Sequence, residues 1–157
     1  MGTAATPSAQ LRAGDFRVAV IFSRYNEDIV NALLDGARGA WRAHGGEQAA
    51  LRVEGVPGAF ELPLCARALA LSGKVDAVVA LGCVIRGDTA HFEFVAGECA
   101  RGLQRVMLDT GVPVSFGVLT VDTREQALAR AGGNTGNKGA EALETALAMA
   151  SLLRRLR

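Results

Sequence analysis

The feature that most constrains the fold is residues 76–94, where an apolar segment passes at once into a polar turn. The first half, Ala77–Ile85, is apolar nearly throughout and is far too short to span a membrane. Because polar residues do not alternate along it, this half predicts a strand buried on both faces of a parallel sheet. A turn over residues 86–89 then leads into a predicted helix that begins near Ala90.

This strand–turn–helix unit has the features of an anion site. Asp88 or Thr89 is predicted to cap the helix, whose free N–H groups favour a phosphate. His91 lies in the first helical turn, where the positive end of the helix disfavours imidazolium and a bound phosphate would favour it. We therefore predict an acid–base role for His91. From this stretch alone, a capped helix with a surface histidine remains the alternative.

Composition places the chain among ordinary soluble single-domain proteins. It has 157 residues, of which 50% are hydrophobic and 21% charged, with a net charge of +1. Neither a nucleic-acid partner nor a membrane partner is expected. Three cysteines without C-x-x-C spacing favour reduced thiols over disulfides or a zinc site. Residues 1–14 lack a signal peptide's apolar core, so we expect a cytoplasmic domain over residues 15–157 after a short N-terminal segment.

Strands and helices alternate regularly along the chain. Four strands are predicted at 16–22, 48–53, 77–85 and 112–119, and the helices at 27–44, up to 71, 90–109, 124–131 and 138–156. Residues 132–136 are expected to be a simple break before the last helix. This alternation predicts an α/β fold, a three-layer α/β/α sandwich around a four-stranded parallel sheet.

The loops that follow the four strands should meet at the carboxyl edge of that sheet, where open α/β proteins bind ligands. They carry an aromatic residue, an acid and a histidine: Tyr25, Glu61 and His91. Taken singly, Tyr25 could pack on the rim and Glu61 could be a first-turn acid. Their common position at one edge favours a ligand site.

With these loops placed, the sequence resembles the lumazine synthase family. The resemblance extends from about Phe16 to the C-terminus and does not depend on one motif. The matching segments, in family order and spacing, are residues 24–26 (RYN), 56–63 (VPGAFELP), 81–93 (LGCVIRGDTAHFE), 113–120 (PVSFGVLT) and 136–139 (GNKG).

The resemblance implies a flavodoxin-like fold and a transferase of riboflavin biosynthesis. The family joins 5-amino-6-(D-ribitylamino)uracil to 3,4-dihydroxy-2-butanone 4-phosphate, giving 6,7-dimethyl-8-ribityllumazine, orthophosphate and water. It implies small-molecule substrates, no cofactor and no metal. A flavin-binding or structural shell protein of the same fold is the alternative.

The resemblance also assigns roles to individual residues. Tyr25, beside Asn26, should stack on the pyrimidine ring, and His91 should move protons. The other expected binding residues of this subunit hold the ribityl chain (Ala59, Phe60, Glu61), offer main-chain groups to the heterocycle (Cys83, Val84, Ile85) or cradle the phosphate (Gly87, Asp88, Thr89).

Three further residues should come from an adjacent subunit: Phe116 over the ring, Arg130 on the phosphate, and Lys138. The family forms homo-oligomers, namely pentamers that often assemble into icosahedral 60-mers, and riboflavin synthase is a candidate partner. The short connection at 132–136 favours the 60-mer, and a strand near residues 9–13 is expected to join a neighbour's sheet. Asp88 departs from the small neutral residue that is common at its position, so its carboxylate is expected to point outward or to cap the helix.

Overall fold

A computed structural model describes residues 10–157 of the chain. Its sheet contains the strands β1 (Val18–Ser23), β2 (Leu51–Val56), β3 (Ala77–Ile85) and β4 (Val114–Val121) in the spatial order β2-β1-β3-β4. All three pairings between them are parallel. The α/β fold predicted from the alternating pattern is therefore confirmed.

Five helices cover the sheet: α1 (Glu27–Ala43), α2 (Leu62–Leu71), α3 (His91–Thr110), α4 (Arg124–Arg130) and α5 (Lys138–Leu156). Helices α1 and α5 pack on one face of the sheet, and α2 and α3 pack on the other. Helix α1 buries one apolar face, which includes Leu33 and Trp41. No helix within residues 10–157 is long and apolar enough to cross a membrane.

Strand β3 has the burial that its composition predicts. Residues 77–83 are all buried, and successive side chains enter opposite layers of the core. Val79 and Leu81 pack with the α1/α5 layer, whereas Val78 and Ala80 pack with the α2/α3 layer. The strand lies between β1 and β4, so both of its backbone edges are also paired.

The predicted starts of three strands are wrong. Strand β1 begins at Val18 rather than at residue 16, and the pairing register and Pro113 explain the other two. Strand β2 begins at Leu51 rather than at residue 48, because Leu51 is the first residue opposite Val18 and Gln48–Ala50 forms a 3₁₀ turn. Strand β4 spans Val114–Val121 rather than 112–119. It begins after Pro113, which has no N–H to donate.

The break predicted at 132–136 is a small antiparallel hairpin. Its strands are β5 (Ala131–Gly133) and β6 (Gly136–Asn137), and α4 ends one residue earlier than predicted. The backbone at Gly132 and Gly136 has φ values of 100° and 84°. A side chain is strained in that region, so glycine permits the tight reversal.

Asn137 joins the last helix to the first. Its Oδ1 accepts hydrogen bonds from the N–H groups of Gly139 and Ala140 at 2.8 and 3.1 Å, which caps α5. Its Nδ2 donates to the carbonyl oxygen of Ala32 in α1 at 2.9 Å. A Cβ on Gly139 would lie 1.9 Å from the carbonyl oxygen of Leu33, so only glycine lets the two backbones approach this closely.

The N-terminal segment is only partly described. Residues 1–9 lie outside the described residues, and so does the start of the strand expected near 9–13. Within the described part, Ala13–Asp15 forms a 3₁₀ turn, and the N–H of Ala13 donates to the carbonyl oxygen of His44 at 2.9 Å. The end of α1 therefore anchors the chain just before β1.

The contact between α1 and α5 predicts a large effect of Gly139→Ala. Forcing a methyl group against the Leu33 backbone should cost about 1–3 kcal/mol of folding free energy. We expect a clearly lower melting temperature in thermal denaturation at matched protein concentration.

Gly39→Ala in α1 is the matched control, because in the described part of the chain no atom lies within 4 Å of a Cβ built there. Helix propensity should make that variant as stable as the parent or more so. A Gly139→Ala protein that melts at the parent's temperature would contradict the close approach.

Candidate active site

A cavity of about 720 Å³ opens at the carboxyl edge of the sheet, among the loops that follow β1, β2 and β3. It brings together all but four of the site residues predicted from the sequence. Those lining it are Tyr25, Asn26, Ala59, Phe60, Glu61, Cys83, Val84, Ile85, Gly87, Thr89 and His91. The parallel sheet therefore places three separate segments of the sequence around one space.

The loop after β1 is held by Asn26. This residue has φ 56° and ψ 52°, a left-handed conformation that asparagine tolerates better than most side chains. Its Nδ2 donates to the carbonyl oxygen of Cys83 at 3.0 Å, which ties the loop to the end of β3. Tyr25 is 71% exposed, and its ring lies beside Gly58, where a Cβ would come within 3.2 Å of ring carbons. Tyr25 thus presents a free aromatic surface to the cavity.

The loop after β2 turns through a short 3₁₀ helix, Ala59–Glu61, before α2 begins. The carboxylate of Glu61 accepts a hydrogen bond from the N–H of Gly58 at 2.9 Å through Oε2. This bond orients an exposed acid at the cavity wall and leaves acceptor capacity on its carboxylate. Such a carboxylate can accept hydrogen bonds from the hydroxyl groups of a polyol.

The end of β3 forms the cavity floor. Burial raises the pKa of the Cys83 thiol to about 11, so the group is protonated at neutral pH. It is therefore unsuited to act as a nucleophile. The carbonyl oxygen of Cys83 already accepts from Asn26, so only part of its acceptor capacity is left for a ligand.

The turn after β3 corrects the predicted helix cap. Helix α3 begins at His91 with Ala90 at the N-cap position, and the hydroxyl of Thr89 accepts from the His91 N–H at a long 3.4 Å. Asp88, the other predicted cap, is exposed, and within the described residues its side chain makes no hydrogen bond and lines no part of the cavity. Gly87, Thr89 and His91 do face the cavity. The turn therefore offers a neutral hydroxyl, backbone and an imidazole.

Three other predicted residues lie away from this cavity in the same chain. Phe116 is 47% exposed on the edge strand β4. Arg130 ends α4, where its Nη1 donates to the carbonyl oxygen of Gln126 at 2.9 Å. Lys138 pairs with Glu141 in the first turn of α5 at 2.7 Å. The subunit on its own does not bring these three side chains to the cavity.

Sequence reasoning missed part of the lining contributed by α3. Phe92, Phe94 and Val95 also face the cavity, and Phe94 is 66% exposed. A signal was available, because residues three and four apart on a helix share a face, and Phe94 and Val95 stand in that relation to His91. The cavity consequently has an apolar wall next to its imidazole.

Comparison with known proteins agrees with this geometry. Residues 15–154 match the sequence profile of the 6,7-dimethyl-8-ribityllumazine synthase family. A protein of that name from Edwardsiella ictaluri is 55% identical, with 99% of this chain and 96% of the relative covered. Its namesake from Thermus thermophilus is 53% identical over 94% of both chains, and that from Halorhodospira halophila is 51% identical over 90% and 91%.

Both the profile match and these relatives span nearly the whole chain, and the loops that carry the resemblance are the loops that build the cavity. The chain therefore belongs to the 6,7-dimethyl-8-ribityllumazine synthase family.

Proposed function

We propose that this protein condenses 5-amino-6-(D-ribitylamino)uracil with 3,4-dihydroxy-2-butanone 4-phosphate to form 6,7-dimethyl-8-ribityllumazine, the penultimate step of riboflavin biosynthesis. The observation that carries the proposal is the convergence of Tyr25, Glu61, Thr89 and His91 on one cavity. In that order, these residues would serve to stack on a heterocycle, accept hydrogen bonds from a polyol chain, bind a phosphate and transfer a proton. Relatives bearing the synthase name favour this activity over a flavin-binding or shell protein.

The reaction requires substrate positioning more than activation. The 5-amino group attacks the ketone, and a first water leaves to give a Schiff base. Phosphate is then eliminated to give an enol, and the ribitylamino nitrogen attacks the remaining carbonyl, so that a second water leaves as the ring closes. Holding two reactants in attacking geometry can supply roughly 7–11 kcal/mol, whereas general acid–base catalysis supplies about 10²–10⁴-fold in rate. His91 is the histidine in the cavity, and it would carry the proton transfers.

The first experiment is a kinetic assay of His91→Ala with both substrates, following the fluorescent lumazine and free phosphate. We expect turnover to fall by about 10²–10⁴-fold while remaining measurable, because positioning survives the loss of the imidazole.

His44→Ala is the matched control, since this second histidine pairs with Glu144 at 3.0 Å between α1 and α5, away from the cavity. Its kinetics should equal those of the parent. A parent protein that does not accelerate the reaction would refute the synthase, and a His91→Ala protein with no residual activity would refute the positioning account.

The proposal extends to a site shared between subunits. Phe116, Arg130 and Lys138 would close the cavity of an adjacent subunit, with Phe116 over the ring and Arg130 on the phosphate. Two observations support this arrangement: the cavity is open on its own subunit, and Phe116 is an exposed aromatic residue on an edge strand.

If Arg130 binds the substrate phosphate, Arg130→Ala should mainly raise the KM for the butanone phosphate and change kcat less. A charge-assisted bond is worth about 1.5–3 kcal/mol, which corresponds to a rise in KM of roughly 10- to 150-fold.

Arg105→Ala removes a comparable charge from the ion pair with Asp109 on α3 and serves as the control. Steady-state kinetics with varied butanone phosphate distinguish the two variants. An unchanged KM in Arg130→Ala would contradict the phosphate role.

We further propose a cytoplasmic homo-oligomer built from pentamers, with twelve pentamers forming an icosahedral shell that riboflavin synthase could accompany. Residues 1–14 would form the N-terminal segment, with a strand near 9–13 joining a neighbouring sheet, and residues 15–157 would form the catalytic domain. The hairpin at 131–137 is short, and its first strand contacts α1, which is compatible with dense packing of subunits.

The assembly is tested by sedimentation velocity of the purified protein. A shell should sediment with a mass sixty times that of the 16.3 kDa chain, and a free pentamer with five times that mass. A five-chain particle at working concentration would contradict the shell, and a monomer would contradict the shared site as well.

A further inference from the structure

We propose that Arg86 is a positioning residue that holds the phosphate-binding turn and His91 in their working geometry. This inference rests on the proposed function of the cavity. Arg86 immediately follows β3, yet it does not line the cavity. Its influence must therefore act through the residues that do.

The side chain of Arg86 contacts Asp122 in the loop after β4, and Phe92 and Glu93 in the first turn of α3. We call these contacts the Arg86 clasp. Nε donates to Oδ1 of Asp122 at 2.9 Å, and Nη1 donates to Oε1 of Glu93. Cζ lies 4.2 Å from the centroid of the Phe92 ring, in cation–π geometry. Its backbone N–H donates to the carbonyl oxygen of Val121 at 2.9 Å.

These contacts close the turn at 87–90 from both ends. Arg86 precedes the turn, whereas Phe92 and Glu93 follow it in the first helical turn of α3. His91 lies between Ala90 and Phe92, so anchoring Phe92 and Glu93 sets the orientation of its backbone.

The turn has little else to hold it. Its residues are exposed, and no atom of residues 10–157 lies within 4 Å of a Cβ built on Gly87. Its own hydrogen bonds include the long one from the His91 N–H to Thr89 Oγ1 and one from the Glu93 N–H to the Ala90 carbonyl at 3.1 Å. Without Arg86, the path of this segment would be poorly defined.

Asp122, the partner of Arg86 in the loop after β4, is itself held in place. The N–H of Asp122 donates to Oε1 of Gln126 at 2.8 Å, and Gln126 with Thr123 forms the capping box of α4. Arg86 thus ties the turn to a capped helix start on the neighbouring loop. Because α4 ends at Arg130, the same clasp also steadies the helix that would serve the adjacent subunit.

The contacts require arginine in particular. A planar guanidinium can bond two carboxylates at its edge while its face covers an aromatic ring, whereas a lysine ammonium is a point charge. Two acids already neutralise Arg86, so it is not a free ligand for the phosphate. Its pairing also holds the pKa of Glu93 below the ordinary value, so that carboxylate stays charged to a lower pH than an unpaired glutamate.

Arg86 is 44% exposed, so its ion pairs contribute little to global stability. Local geometry is what they determine. Arg86→Met and Arg86→Lys should therefore leave the melting temperature and particle mass close to those of the parent. They should lower kcat/KM for the butanone phosphate by roughly 10- to 100-fold, the scale of a small misplacement of reacting groups.

A double-mutant cycle that combines Arg86→Met with His91→Ala distinguishes the positioning of His91 from a merely structural role of Arg86. If Arg86 acts through His91, Arg86→Met should lower kcat strongly in the parent and only slightly when His91 is already alanine. Arg86→Lys, which keeps the charge but loses the fork and the stacking, should behave like Arg86→Met. Arg101→Met, which breaks the Arg101–Glu98 pair on the outer part of α3, is the control with parental kinetics.

The outcomes are distinguishable. A parent without synthase activity would refute the proposed function. If the parent is active and a folded, assembled Arg86→Met variant has the parent's kcat/KM, the positioning role of Arg86 is refuted. It is also refuted if Arg86→Met lowers kcat by the same factor in the parent and in His91→Ala. If Arg86→Met does not fold, Glu93→Gln and Asp122→Asn test the same contacts one at a time, and parental kinetics in both would overturn the inference.

Discussion

The central strand β3 is buried on both faces and paired along both edges, and the rest of the architecture depends on that burial. A strand without a polar face needs an apolar layer on each side, which α1 and α5 supply on one side and α2 and α3 on the other. Parallel neighbours require long crossovers, so each strand is followed by a helix. The carboxyl ends of the strands then share one edge, and the residues that line the candidate site come together there.

Hydrogen bonds made by side chains hold the loops at that edge in place. Asn26 ties the first loop to the carbonyl of Cys83, and Glu61 closes the second on the N–H of Gly58. Arg86 links the third to the fourth through Asp122. A cavity built in this way can keep polar groups at defined positions while its mouth stays open to small molecules.

Not every residue of a family motif belongs to the chemistry. Asn137 and Gly139 lie within the Gly-Asn-Lys-Gly segment, yet in this subunit they join helices. Asn137 caps α5 and binds the α1 backbone, and Gly139 allows the two helices to touch. Backbone geometry therefore accounts for two residues of this motif without accounting for the lysine between them, Lys138.

The sequence by itself determined the α/β class, the burial of β3 on both faces and the edge of the sheet where the candidate site lies, because all of these follow from local periodicity and from the order of strands and helices. Only the tertiary structure decided where pairing begins, since strand ends depend on which residues lie opposite Val18 and Val78. The tertiary structure alone also showed the hairpin after α4, that Asp88 does not cap α3, and the contacts of Arg86 with Asp122, Phe92 and Glu93. These features depend on contacts between residues distant in the chain or on glycine backbone angles, and neither is encoded in the pattern of apolar and polar residues.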